Sequence, residues 1–215
     1  EEQRRIRRQR TSKRSRQGIY HVSIVGYASA GKTSIFNRLT GESRRTGEEY
    51  FTTLYPKHKA VSIGGVRVAL ADTVGFIRDV PPEVIEAFYS TLEDIAESDA
   101  IVFVIDSSED SKTVREKFTA GLDILARIGA NGIPLIVALN KVDKTVDVDS
   151  IVSIIMEESN RYPWPVSGIV PVSALTGYGL DKLVGLVAEV LLGHEARRAL
   201  QDGVRAEARP QADKG

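Results

Sequence analysis

Residues 20–25 form a short apolar run that stops at Gly26. The eight residues from that point, Gly26-Tyr27-Ala28-Ser29-Ala30-Gly31-Lys32-Thr33, fit the pattern G-x-x-x-x-G-K-[ST], and a helical segment follows. A strand that turns through glycines into a helix constrains the fold more tightly than any compositional figure, because it calls for an α/β layer arrangement with the turn at a strand's carboxyl end. The two glycines let the backbone curl, so that successive N–H groups and the helix N-terminus point at one anion while Lys32 reaches the outer phosphates of a nucleotide. Gly26 to Thr33, with Ser34 beside them, are the candidate phosphate-binding residues, and the Thr33 hydroxyl is expected to hold Mg²⁺.

The base is specified far downstream. Pro134-Leu135-Ile136-Val137-Ala138-Leu139 reads as a buried parallel strand and runs directly into Asn140-Lys141-Val142-Asp143. Loops at the carboxyl ends of such strands face the ligand. Guanine offers N1–H and an exocyclic N2–H₂ as adjacent donors, which one carboxylate accepts together; adenine has no such pair. Asp143 is the expected carboxylate, and leaving it buried without donors would be costly, so it would discriminate against adenine. Asn140 is expected to tether the loops, and the Lys141 stem to cover the base or sugar face. An ATP-dependent enzyme is the alternative that Asp143 disfavours.

Two shorter segments complete this reading. Asp72-Thr73-Val74-Gly75 follows an apolar run, so that Asp72 would bind Mg²⁺ through water and the Gly75 N–H would meet the terminal phosphate. Ser173-Ala174-Leu175 follows the last strand, with backbone N–H groups expected at the guanine O6.

Strands are expected at 20–25, 59–63, 66–71, 100–105, 133–139 and 169–172, and helices at 32–39, 83–97, 112–128, 149–160 and 180–192. This alternation predicts a mostly parallel six-stranded sheet with helices on both faces. Gly64-Gly65 is a hairpin turn signal, so one edge strand should be antiparallel. Pro81-Pro82 suits the start of the second helix. Residues 40–54 read as a mobile loop, and the polar stretch after Leu192 as a fraying tail. Trp164, between two prolines, reads as a loop anchor, and His21 as a packed strand residue rather than a metal ligand.

The 215 residues, 42% hydrophobic, suffice for one buried core. The absence of cysteine excludes disulfides and thiolate metal sites. No apolar run approaches the length of a membrane span, and no secretory leader is visible, so a cytoplasmic protein without a membrane span is expected. Net charge is zero, yet Arg and Lys concentrate between Arg4 and Arg16. That run could meet RNA phosphates or be a solvated terminus.

Gly26-Tyr27, Phe51-Thr52-Thr53-Leu54 and above all Asp72-Thr73-Val74-Gly75-Phe76-Ile77-Arg78-Asp79-Val80-Pro81 resemble the HflX family of ribosome-associated GTPases. The resemblance covers residues 4–192. It implies a Ras-like P-loop GTPase fold, GTP and GDP as substrate and product, and the large ribosomal subunit as partner of a monomer. It divides the chain into a basic linker helix end or disordered terminus (1–17), a GTPase domain (18–193) and a polar tail (194–215). The family's amino-terminal domain has no counterpart here, so an excised GTPase domain is expected. Phe51, Thr52 and Thr53 would belong to a nucleotide-sensing segment. Thr53 is the expected second Mg²⁺ ligand with Thr52 as competitor, and Thr53 and Gly75 are the candidates for positioning the reacting groups.

The catalytic residue is unassigned. Many Ras-like GTPases carry glutamine where this chain has Phe76, and a phenyl ring cannot polarise water, so slow intrinsic hydrolysis is expected. A nucleotide-gated binding module with negligible hydrolysis is the alternative. Two further departures stand out: Ser29 replaces an asparagine linked to a monovalent cation, leaving that dependence in doubt, and Tyr55 replaces an aspartate.

Overall fold

The structure, a computed structural model, describes residues 18–42, 57–73, 75, 94–162, 164 and 166–207. Six strands form one sheet in the order β2-β3-β1-β4-β5-β6. They are β1 (Tyr20–Gly26), β2 (Lys57–Ile63), β3 (Val66–Asp72), β4 (Ala100–Asp106), β5 (Leu135–Asn140) and β6 (Val166–Pro171). All neighbours pair in parallel except β2 and β3. Gly64 and Gly65 both take positive φ, 56° and 83°. Two such residues make the tight turn whose twist suits a hairpin, so the antiparallel edge strand forms where expected.

Side chains alternate along the strands and build two cores. Val22, Ile24, Val68, Val102, Val104 and Ile136 face α1 (Lys32–Thr40) and α4 (Leu180–Glu207), which contribute Ile35, Phe36, Leu183, Val187 and Leu191. Val25, Ile101, Phe103, Ile105, Leu135 and Val137 face α2 (Ser111–Arg127) and α3 (Val148–Arg161), which contribute Phe118, Leu122, Leu125, Ile151 and Ile155. Burial on both faces is why β4 and β5 read as unbroken apolar runs instead of alternating ones. Asp110 and Asp147 cap α2 and α3 by accepting from backbone N–H groups of their first turns.

Several boundaries differ from expectation, β2 beginning at Lys57 instead of 59 among them. β5 begins at Leu135 instead of 133, and β6 at Val166 instead of 169. The last helix does not stop at Leu192: it continues to Glu207, through part of the stretch expected as a fraying tail. Gly193 costs a helix only about 1 kcal/mol, and the alanine, glutamate, arginine and leucine residues after it favour helix. The other expected helix, at 83–97, lies outside the described residues except for a turn at its end. Trp164 is anchored as anticipated, its Nε1 donating to Ile133 O at 3.2 Å.

Candidate nucleotide site

β1 lies in the middle of the sheet and delivers Gly26 beside β4. A Cβ there would stand 2.3 Å from Val104 O, so the strand can leave the sheet at this point only through glycine. The turn then alternates hand. Ser29 has φ 62° and Gly31 φ 94°, a geometry that turns successive N–H groups inward. No side chain caps α1, so the first-turn N–H groups of Lys32, Thr33 and Ser34 are left for a ligand.

Lys32 is buried, and its Nζ donates to Tyr27 O at 2.9 Å. Burial pushes the ammonium down to about 8, with the nearby Asp72 carboxylate opposing. Thr33 Oγ1 donates to Asp72 Oδ2 at 2.9 Å, so α1 and the end of β3 meet through two hard oxygen ligands. That donor set fits Mg²⁺, which takes one or two protein oxygens and completes its shell with water and phosphate. Among the described residues no cluster of three His, Cys, Asp or Glu offers an all-protein metal cage. Thr73 Oγ1 donates to Ile24 O at 2.7 Å, fastening the start of the following loop to β1. Gly75 abuts the phosphate loop: a Cβ would sit 3.0 Å from Lys32 Nζ and 3.1 Å from Ala28.

The base side is built around Asn140 at the end of β5. Its buried amide bridges two loops, Nδ2 donating to Ala30 O at 2.8 Å and Oδ1 accepting from Ala174 N at 3.0 Å. Gly31 allows this, since a Cβ would stand 2.2 Å from Asn140 Nδ2. Asp143 Oδ1 accepts from Ser173 Oγ at 2.5 Å, and Val142 N donates to Val172 O at 3.3 Å. Lys141 adopts φ 69° and donates from Nζ to Asp106 Oδ2 at 2.6 Å. Gly31, Ser34, Arg38, Asn140, Lys141, Asp143, Ala174 and Leu175 are among the residues around a groove of about 440 Å³. That size lies within the range of small-molecule sites.

The fold therefore brings the 26–34, 140–143 and 173–175 segments, with Asp72, Thr73 and Gly75, to one end of the sheet. Phe51, Thr52, Thr53, Val74 and Phe76 lie outside the described residues. Sequence reasoning missed four contributors. Asp106 holds Lys141; Ser107 donates through Oγ to Asn140 O at 2.7 Å and meets Thr145 Oγ1 at 2.7 Å; Arg38 holds Ala174 O. A polar Asp-Ser-Ser at the carboxyl end of β4 was the available signal for the first two. The His21 and His58 rings lie 5.8 Å apart, and His58 Nε2 is 3.4 Å from Asp94 Oδ2.

Residues 21–141 match the family model described as 50S ribosome-binding GTPase. The chain is 47% identical over 185 residues to GTPase HflX of Hyperthermus butylicus, covering 85% of this chain and 49% of that protein. The chain belongs to the HflX family of GTPases. GTPase HflX of Saccharolobus solfataricus is 38% identical over 169 residues, 78% of this chain and 48% of that one. The chain thus spans about half the length of the curated HflX relatives it matches. A crystal structure of a GTP-binding protein from Sulfolobus solfataricus in complex with GDP superposes with TM-score 0.71 at 34% identity, covering 89% of this chain and 58% of that one. The match to the GTPase family model covers β1 to β5, on the mostly parallel P-loop sheet expected from sequence. Among the described residues no helix is long and apolar enough to cross a membrane.

Proposed function

We propose that this chain binds guanine nucleotide with Mg²⁺, hydrolyses GTP to GDP and phosphate slowly on its own, and acts in the cytoplasm as a monomeric switch docking on the large ribosomal subunit. The observation that carries the reading is the Asn140 bridge. One side-chain amide locks the phosphate loop at Ala30 to the base loop at Ala174, with Asp143 lining the same groove. A phosphate cradle and a carboxylate suited to guanine at one strand end fit a guanine nucleotide laid across the loops.

In this reading the amides of residues 28–34 and the Lys32 ammonium neutralise the phosphates, and Asp143 accepts N1–H and N2–H₂ while the 174–175 backbone meets O6. Thr33 and Asp72, with Thr53 on the GTP side, would hold Mg²⁺, which when bound offsets charge on the outer phosphate oxygens. Gly75, packed on Lys32 and Ala28, is placed for its segment to sense the terminal phosphate. Phe76, at the position where many Ras-like GTPases carry a water-orienting glutamine, has a ring that cannot polarise water, which supports slow intrinsic turnover. The ribosomal half of the proposal draws on the description of the matching family model, 50S ribosome-binding GTPase.

The test is steady-state GTP hydrolysis with and without purified large subunits at matched salt, beside GDP and ADP affinities. Strong stimulation by the subunit and a marked GDP preference are expected. Equal affinity for ADP sinks the base assignment. Intact GDP binding without stimulation sinks ribosome docking by this chain.

A further inference from the structure

Arg38 stands in the last turn of α1, and its guanidinium reaches two successive carbonyl oxygens on the base loop. Nε donates to Ala174 O at 2.9 Å, and Nη2 donates to Leu175 O. We propose that Arg38 is a specificity-positioning residue, whose forked grip on these carbonyls aims the Leu175 amide at the 6-position of the bound purine. The proposal rests on the guanine-nucleotide reading above and extends it to a residue outside every motif.

The argument is one of peptide geometry. A trans peptide is planar, so the carbonyl of one residue and the N–H of the next point in opposite directions. No cis bond interrupts the described chain. Pinning Ala174 C=O to Arg38 therefore turns the Leu175 N–H to the other side. The neighbouring amides are already used: Ala174 N donates to Asn140 Oδ1 and Thr176 N to Ser173 Oγ. Of three consecutive donors, the Leu175 amide is the one that Arg38 orients toward a ligand, and Ala174, Leu175 and Arg38 all line the groove. An N–H there donates to the oxygen of a 6-oxo purine and meets only another donor on a 6-amino group.

The placement adds a second element of control. Arg38 sits on the helix whose first turn forms the phosphate site, so α1 sets the spacing between the phosphate cradle and the 6-position donor. Only a planar guanidinium supplies two donors in a fixed fork; lysine brings the charge with a single point of attachment.

The experiment compares wild-type, Arg38→Ala and Arg38→Lys proteins in equilibrium binding of GDP, IDP and 6-thio-GDP, with a thermal melt of each protein. IDP lacks the 2-amino group read by Asp143; 6-thio-GDP changes only the 6-position acceptor. Arg38→Ala should weaken GDP about tenfold, the scale of a charge-assisted hydrogen bond. It should also bring the preference for GDP over 6-thio-GDP close to one, while the preference for GDP over IDP stays as in wild type. Arg38→Lys should lose the same 6-position selectivity while retaining the wild-type melt. Equal weakening of all three ligands, or unchanged selectivity in both variants, overturns the proposal. A wild-type protein that binds GDP no better than ADP overturns the guanine reading and this proposal with it.

Discussion

At the scale of single residues, Lys32 carries the clearest pH signature. Its ammonium is held near 8 by burial, and a polyanionic ligand favours the protonated form. GDP binding in Mg²⁺-free buffer should therefore take up a proton above pH 8. Affinity should fall by up to about tenfold per pH unit there, and stay flat in this respect below about pH 7. Calorimetry at pH 9 in two buffers of different ionisation heat measures the uptake, and equal heats would contradict it. For the unliganded chain the folded value lies below the unfolded value of 10.5, so the folded state binds fewer protons and gains stability as pH rises from 8 to 10.5. The gain from this group is about 3 kcal/mol at most. Asn140→Ala removes hydrogen bonds to both Ala30 and Ala174 inside the protein and should cost about 2–4 kcal/mol in urea unfolding without nucleotide. The phosphate loop was legible because its chemistry is contiguous. Arg38 was not, since its partner lies 136 residues away and no local pattern marks such a pair.

Among the elements, α2 lies on β4 through a glycine. A Cβ at Gly121 would stand 2.2 Å from the Phe103 ring, so the helix approaches as closely as it does because that position carries no side chain. Gly121→Ala should destabilise by about 1–3 kcal/mol through overpacking, despite alanine's better helix propensity. A gain in urea midpoint would refute this. Arg115 joins α2 to α3 by bonding Glu158, a carboxylate only 4% exposed, which Arg161 of the same α3 turn also holds. Replacing both arginines with alanine leaves that carboxylate without a cation and should lower the melting temperature; adding Glu158→Met should recover most of the loss. Thermal melts of the double and triple variants decide the matter. Element types followed from local signals: apolar runs for β4 and β5, the glycine pair for the β2–β3 hairpin. The misjudged ends share a cause. Val166-Ser167-Gly168 has no strand signature and is held by pairing with β5, and the carboxyl half of α4 lacks a local stop signal after Gly193.

For the whole molecule, ligand binding and folding are linked, because a ligand seated across loops from four strands binds the folded state alone. GDP at 100 times its Kd should add about 2.7 kcal/mol, a rise in Tm of roughly 5–10 °C, and ADP at the same concentration should add almost none. A shift of equal size with both nucleotides would contradict guanine selectivity. The order of the parts along the chain has a consequence for synthesis. The phosphate cradle is complete once Gly75 has been made, whereas the second partner of the Asn140 amide, Ala174, arrives about a hundred residues later. Until β6 emerges, β5 presents an open edge with apolar side chains on both faces, a surface that invites pairing with other chains. A nascent chain therefore carries this adhesive strand unprotected only over the interval between Asn140 and Pro171, and an Asn140 engaged at both ends marks a polypeptide whose synthesis has passed that hazard.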